Sequence, residues 1–274
     1  MTRDRRRKLV DGAVRVLCLL ATALALVPLG LVLFYVASRG IGGIDAAFFT
    51  ELPKPVGESG GGMANALVGL ACLFGIPPGV LAGVYLAEFG NHRFAKLVRF
   101  SADVMSGIPS ITVGIFVYTL IVLRTKSFSA LAGGVALAVL MLPTVTRTTE
   151  ELLRLVPESL REAALGLGVP KWRATLRVVL RTAAPGIATG IMLAIARVAG
   201  ETAPLLFTAF NNAFWPTGLA QPTASLPVQI YTYAVSPYDE WHRKAWAAAL
   251  VLVAMVLLLN VSARLLVRHR VRSR

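Results

Sequence analysis

The sequence predicts an all-α, polytopic membrane protein with six transmembrane helices. Of its 274 residues, 56% are hydrophobic and only 15% are charged, whereas soluble domains carry about 25% charged residues. Six windows each hold about 20 mostly apolar residues, the length that a helix needs to cross a bilayer. Most of the Lys and Arg residues fall in every second connecting segment, as expected when basic loops stay on the cytoplasmic side.

The six windows divide most of the chain between them. In order, they are Val16–Ser38, Ala64–Ala87, Val104–Leu123, Ser127–Thr146, Thr182–Phe210 and Ala245–Ala263. They predict a transmembrane domain over residues 16–267, flanked by a basic N-terminal segment (1–15) and a basic tail (268–274). The first window exceeds the apolar run of about 7–15 residues in a secretory signal, so we expect a retained signal anchor.

The distribution of basic residues predicts the orientation. With the N-terminus in the cytoplasm, 21 of the 28 Lys and Arg residues fall on the cytoplasmic side and 6 on the outer side. Both termini are therefore expected to be cytoplasmic. The net charge of +14 then reflects topology, and no nucleic-acid partner is expected, although a basic soluble protein of this charge would suggest one.

Two glycine patterns predict close helix packing. Glycines recur at four-residue spacing in the second and fifth windows, at Gly75, Gly79, Gly83, Gly186 and Gly190. Such spacing lets helix backbones approach closely, either within one subunit or at a subunit interface; the sequence leaves both open. Pro77 and Pro78 predict a kink or break in the second helix.

The connection between the fourth and fifth windows is the longest cytoplasmic loop, and it predicts a short helix. Ser159 and Glu162 have the spacing of a capping box. Gly166 and Gly168 should end this helix, and Pro170 should prevent its continuation. A helix of about two turns is unstable alone, so it must pack on the membrane surface or on a soluble partner.

This loop carries a family resemblance. The stretch "EAALGLG" (Glu162–Gly168) resembles the E-A-A-x-x-x-G motif of ABC-importer permeases. Together with "GIPSITVGIFVY", "ARVAGETAPLLFTA" and "SLPVQIY", it makes residues 60–260 similar to the phosphate-importing members of that family. One departure is Arg181, where the family usually has proline.

The resemblance implies a type I ABC-importer permease fold and a role as half of the translocation pathway for inorganic phosphate. It assigns ATPase coupling to Glu162, Ala163, Ala164 and Gly168, within a coupling segment of about residues 148–181. The implied partners are a second permease subunit, two ATPase subunits, an external phosphate-binding protein and membrane lipid. The chain lacks the G-x-x-x-x-G-K-[ST] phosphate loop, so we expect no ATPase activity of its own and no cofactor.

Three ionisable residues lie within or at the edge of apolar windows: Arg147, Arg197 and Glu201. A charge at the bilayer centre costs about 3 kcal/mol, so such residues are candidates for a substrate pathway. Arginine suits an oxyanion because its planar guanidinium stays protonated. Pro204 leaves the Gly200 carbonyl without its helical donor, so we expect the helix to be disrupted there.

Alternatives remain open from the residues alone. Arg197 and Glu201 are four positions apart and would share one helix face, so a structural ion pair between them is one alternative. Arg147 fits a gate or a lipid head-group anchor equally well. The chain would also suit another oxyanion such as phosphonate, sulfate or molybdate, or a secondary transporter with Glu201 as proton carrier.

Overall fold

One mostly buried helix, α7 (Ala130–Arg154), organises the computed structural model, which describes residues 3–52, 74–90, 92–215 and 218–272. Ser129 begins this helix, because its hydroxyl accepts a hydrogen bond from the Ala132 amide at 3.1 Å. The buried face of α7 is rich in alanine and glycine. These small side chains allow other helices to approach it on several sides.

The described ranges are helical and contain no strand. In chain order the helices are α1 (Arg3–Gly40), α2 (Ala46–Thr50), α3 (Ile76–Glu88), α4 (Arg93–Gly107), α5 (Ser110–Val117), α6 (Leu123–Thr125), α7 (Ala130–Arg154), α8 (Glu158–Gly166), α9 (Lys171–Ala174), α10 (Leu180–Ala199), α11 (Ala203–Thr208), α12 (Leu226–Ala234) and α13 (Asp239–Arg272). Two π-helical turns, Tyr118–Val122 and Thr175–Val179, join α5 to α6 and α9 to α10 without a break.

The glycines of α3 pack directly on α7. A Cβ atom added at Gly79 would lie 2.9 Å from the Cβ of Val145, and one at Gly83 would lie 2.5 Å from the Cβ of Thr149. Because successive glycines meet successive turns of α7, the two helices run parallel. The predicted close packing is therefore internal to this subunit.

Helix α10 packs on another side of α7. A Cβ atom at Gly186 would meet the side chain of Leu152 at 3.0 Å, and one at Gly190 would overlap Thr148. Later residues of α10 thus meet earlier residues of α7, so α10 runs antiparallel to α7. The parallel and antiparallel pairs agree with the alternating directions expected of a polytopic bundle.

The predicted count of six membrane spans is not confirmed. By length and composition, four helical stretches of the described residues are apolar and long enough to cross a bilayer: Val10–Gly43, Ala130–Arg154, Lys171–Ala199 and Asp239–Ser262. A fifth span arises if the bent pair Arg93–Gly107 and Ser110–Thr125 counts as one. Residues 64–73 of the predicted window Ala64–Ala87 lie outside the described residues. The rest of the window falls almost entirely in α3.

The window Val104–Leu123 is not the continuous helix that we expected. Helix α4 ends at Gly107, and the chain turns by 105° before Ser110. Pro109 explains this turn, since the residue before a proline is disfavoured in the helical region. Ile108 is accordingly extended, with φ −73° and ψ 131°.

The predicted kink or break at Pro77 and Pro78 stays a prediction, because the window before residue 74 lies outside the described residues. Both prolines lie in the first turn of α3, directly after Gly75 and Ile76. A proline in this position removes no helical hydrogen bond, because the first amides of a helix have no intrahelical acceptor. Within the described residues, the two prolines therefore begin a helix.

The packing of α3 on α7 predicts that Gly83→Leu lowers the free energy of unfolding by about 3 kcal/mol, because the added side chain would force the two backbones apart. Gly12→Leu is the matched control, since a Cβ atom there meets nothing within 4 Å. Thermal unfolding of the detergent-solubilised protein measures both. Equal unfolding temperatures for the two variants would contradict the close approach.

Candidate functional site

The helix that carries Arg197 breaks just after it. Helix α10 ends at Ala199, and α11 begins at Ala203 with Pro204 in its first turn. The predicted disruption is therefore confirmed, but the window Thr182–Phe210 is not one helix. Its membrane-length part begins earlier, at Lys171, and ends at Ala199.

The short helix α11 is held against α5 by a close approach. A Cβ atom at Gly114 would lie 2.6 Å from the Cα of Pro204, and Pro204, Leu205 and Thr208 are buried. The Thr208 carbonyl also accepts a hydrogen bond from the Ser129 amide, at 3.0 Å. Helix α11, and with it the break before it, is thus fixed by packing on α5 and by a hydrogen bond at the start of α7.

Arg197 and Glu201 do not form an ion pair with each other. Among the described residues, neither side chain has an oppositely charged partner within 4.0 Å. The reason is that Glu201 lies in the break, outside the helical register that an i,i+4 pair requires. The alternative of a structural Arg197–Glu201 pair is therefore wrong.

Arg197 is exposed, on a face of α10 that none of the described residues covers. Leu193, one turn earlier on the same face, is also exposed, whereas Ala194 and Val198 are buried. The buried residues pack with Met141 and its neighbours near the middle of α7. Because α7 spans about 37 Å at 1.5 Å per residue, the exposed guanidinium lies about halfway along a membrane-length helix.

Arg147 belongs to a cluster of charged side chains around Glu150. The Glu150 carboxylate is only 1% exposed and pairs with Arg99 at 2.6 Å, Arg147 at 3.2 Å and Arg154 at 2.7 Å. Arg147 also pairs with Asp103 at 3.0 Å. These contacts tie α4 to the C-terminal end of α7, so Arg147 is neither an isolated cation nor a free lipid anchor.

The sequence interpretation overlooked Glu150, although a signal was present. Arg147 and Arg154 stand three residues before and four residues after it, which places all three on one helix face. The contribution of Arg99 had no such signal, because it lies 51 residues away in the chain. Only the packing of α4 across α7 brings it to Glu150.

The predicted short helix exists as α8, but its N-terminus differs from the expectation. Pro157 occupies the position before the first helical residue, and no side chain caps the free amides. The capping box of Ser159 and Glu162 is therefore wrong, because the helix already begins at Glu158. Proline at this position fixes the turn of the backbone into the helix.

The predicted end of α8 is confirmed. Gly168 has φ +75°, the left-handed conformation that favours glycine. The Val169 amide donates to the Ala164 carbonyl at 3.1 Å, and the Gly168 amide donates to the Leu165 carbonyl at 2.9 Å. This pair of hydrogen bonds is the Schellman motif. Pro170 then begins α9 rather than only ending the preceding helix.

Most of α8 is exposed. Of the four residues predicted to couple to an ATPase, Glu162, Ala163 and Gly168 are exposed and Ala164 is buried. Three leucines at or just after α8 are also exposed: Leu160, Leu165 and Leu167. The helix thus presents apolar side chains that no part of the described chain covers.

These features define a class of protein, a membrane transport subunit built as a helical bundle. Residues 79–273 match the family model described as "Binding-protein-dependent transport system inner membrane component", and the chain belongs to this family. The resemblance seen in "EAALGLG" is confirmed. The chain is therefore a multi-pass membrane component of an ABC transport system, which is a transporter subunit and not an enzyme.

Several curated relatives share the name "Phosphate transport system permease protein PstA". The protein from Yersinia pestis is 50% identical over 86% of this chain and 82% of the relative. That from Xylella fastidiosa (strain Temecula1) is 46% identical over 97% of this chain and 96% of the relative. A solved chain of the inward-facing MetNI methionine ABC transporter has the same fold, with a TM-score of 0.60 at 21% identity, covering 72% of this chain and 87% of that one.

The Glu150 cluster predicts that Glu150→Gln lowers the free energy of unfolding by about 3 kcal/mol, since it leaves neighbouring arginines without their buried counter-charge. A loss of about 3 kcal/mol is at the lower end of the values for breaking a buried ion pair, because the arginines keep some contact with solvent. Glu151→Gln, at the exposed next position, should change it by less than about 0.5 kcal/mol. Thermal unfolding in detergent compares them, and an unshifted Glu150→Gln transition would refute the structural role of this carboxylate.

Proposed function

We propose that this chain forms half of the translocation pathway for inorganic phosphate import, driven by ATP hydrolysis on separate subunits. The names of the relatives at 50% and 46% identity support phosphate as the substrate. The single observation that favours a pathway in this chain is the exposed cation of Arg197. It lies near the end of α10, beside the helix break and level with the middle of α7. An exposed charge at this depth is costly in lipid, which favours a water-filled path or a second subunit on this face.

Arg197 attracts the phosphate ion as it passes. Its guanidinium offers several N–H donors in one plane, which fit the oxygens of a phosphate. A single cation without a fixed carboxylate partner can bind the anion and still release it, as conduction requires. Glu201, half-buried in the break, limits the positive potential when the path is empty. Arg147 contributes to the path near the C-terminal end of α7. The Glu150 cluster there carries three arginines and two acids.

Helix α8 docks into a groove on the ATPase subunit through the region of Glu162, Ala163, Ala164 and Gly168. Its exposed surface combines leucines with the carboxylates of Glu158 and Glu162. Helices that lie on a membrane are instead rich in Lys and Arg, because anionic lipids attract them. The charge of α8 therefore favours a protein groove over the lipid surface.

The same proposal includes the rest of the assembly. A second permease subunit covers the exposed face of α10, two ATPase subunits bind in the cytoplasm, and an external phosphate-binding protein delivers the ion. Both termini are cytoplasmic, with a basic segment at 1–15, a permease domain at 16–267 that contains the coupling segment 148–181, and a basic tail at 268–274.

Reconstitution of the purified complex in liposomes tests this function. We expect ATP hydrolysis that phosphate and the binding protein stimulate together, and phosphate accumulation that depends on ATP. Stimulation by sulfate, molybdate or a phosphonate in place of phosphate would assign another oxyanion. Uptake by this chain alone under a proton gradient would instead support a secondary transporter and overturn the proposal.

Arg197→Gln should lower phosphate uptake about 10- to 100-fold, which corresponds to the loss of one hydrogen bond to a charged group. The subunits should still co-purify, because Arg197 has no ion pair among the described residues that would hold this fold together. Arg264→Gln is the control, since Arg264 is exposed on α13 and lies outside the coupling segment. Normal uptake by Arg197→Gln would remove this residue from the pathway.

Glu201→Gln should raise ATP hydrolysis in the absence of phosphate. Without the carboxylate, the charge of Arg197 is unbalanced in the empty path, which destabilises the resting state relative to the state that hydrolyses ATP. The measurement is the ratio of phosphate-stimulated to basal ATP hydrolysis in liposomes, which should fall toward one. A variant with the wild-type ratio would exclude this role for Glu201.

A further inference from the structure

Arg161, next to the motif residue Glu162, connects α8 to the ends of two membrane helices. Its guanidinium donates to one carboxylate oxygen of Glu88 from Nε at 3.1 Å and from Nη2 at 2.8 Å. It also donates from Nη2 to the Leu153 carbonyl at 2.7 Å and from Nη1 to the Val156 carbonyl at 2.6 Å. One side chain of α8 thus binds the C-terminal ends of both α3 and α7.

Each of these contacts meets a physical requirement. The last carbonyls of a helix have no intrahelical donor and carry partial negative charge, so the guanidinium suits the end of α7. Glu88 is the last residue of α3 and only 5% exposed, a position where a carboxylate is unfavourable without a cation. Thr175 adds a longer hydrogen bond, at 3.4 Å, to its other oxygen.

Helix α8 packs mainly on the turn Thr175–Val179 and on α9, and it makes few direct contacts with α3 and α7. Ala164 is its one buried residue, and burying a methyl group contributes much less than a side chain of leucine size. Leu165 and Leu167 point away from the bundle, with Leu167 84% exposed. The position of α8 relative to α3 and α7 is therefore set mainly by the guanidinium of Arg161.

Building on the proposed function, we propose that the Arg161–Glu88 ion pair transmits displacement of α8 to α3 and α7, which makes both residues positioning residues for coupled transport. Because the α3 glycines lie against α7 in close contact, a shift at Glu88 moves these two helices together. Helix α10, which carries Arg197, packs on the same α7. A motion imposed on α8 by an ATPase thereby reaches the arginine of the pathway.

A cavity of about 530 Å³ lies beside this link, lined by residues that include Glu88, Phe89, Arg154 and Lys171. The ammonium of Lys171 lies 4.8 Å from the centre of the Phe89 ring. The cavity leaves room for α9 and the end of α3 to move relative to each other. Glu88 lines this cavity and Arg161 does not, so the ion pair attaches α8 to the α3 side of it.

The test uses the complete complex in liposomes, with phosphate uptake and ATP hydrolysis measured on the same vesicles. Glu88→Gln and Arg161→Gln should each lower the phosphate transported per ATP about tenfold, within the usual range of coupling between sites. The double variant Glu88→Gln/Arg161→Gln should lose no more than either single variant, since both remove the same interaction. Co-purification of the ATPase subunits should remain as in the wild type.

Arg161→Lys is a milder variant that keeps the charge. An ammonium group cannot reach Glu88 and both carbonyls in one geometry, so transport per ATP should fall to an intermediate value. Asp11→Asn, in the N-terminal segment and outside the coupling segment, is the control for loss of an exposed carboxylate, and it should retain the wild-type ratio.

Three results would overturn the inference: an unchanged ratio in both single variants, losses that multiply in the double variant, or loss of the ATPase subunits or of the folded chain in all of them. The last result would assign a purely structural or docking role. A wild-type complex without phosphate-stimulated ATP hydrolysis would instead refute the proposed function, so the two failures are distinguishable.

Discussion

The close approach of two helices to α7 is the constraint on which the other features depend. Glycines at 75, 79 and 83 allow α3 to lie directly on one side of it, and Gly186 and Gly190 allow α10 to lie on another. In a bilayer there is little hydrophobic force between helices, so packing and polar contacts must hold them. Because these backbones are in contact, the ends of α3, α7 and α10 are fixed relative to one another. The glycines of α3 and α10 therefore determine where Glu88 and Arg197 lie relative to α7.

Polar interactions then define the ends of this packed core. At the end that carries α8, two carboxylates are almost fully buried, and each is compensated by arginines: Glu150 by three of them and Glu88 by Arg161. Farther along the bundle, Arg197 has no such partner among the described residues. Buried ion pairs contribute little net stability, but they fix geometry. The contrast separates charges that have fixed partners, and so hold helices together, from Arg197, which has none among the described residues.

Local patterns in the sequence predicted much of this arrangement. The glycine spacing, the break before Pro204 and the end of α8 at Gly168 depend on backbone conformation within a few residues, and all three are present. The capping box at Ser159 failed because Pro157 starts the helix earlier. The contacts of Arg99 with Glu150 and of Arg161 with Glu88 join residues 51 and 73 positions apart. Such pairs depend on tertiary packing, which single-sequence periodicity does not contain.

The arrangement around Glu150 also bears on how the protein is assembled. Arg147 and Arg154 belong to the same helix as this carboxylate, so its charge has partners as soon as α7 forms. Arg99 joins only when α4 packs across α7. In a two-stage view, helices first form in the membrane and then associate. The carboxylate that fastens α4 therefore has counter-ions of its own before the helices associate, and its charge does not depend on α4 for compensation.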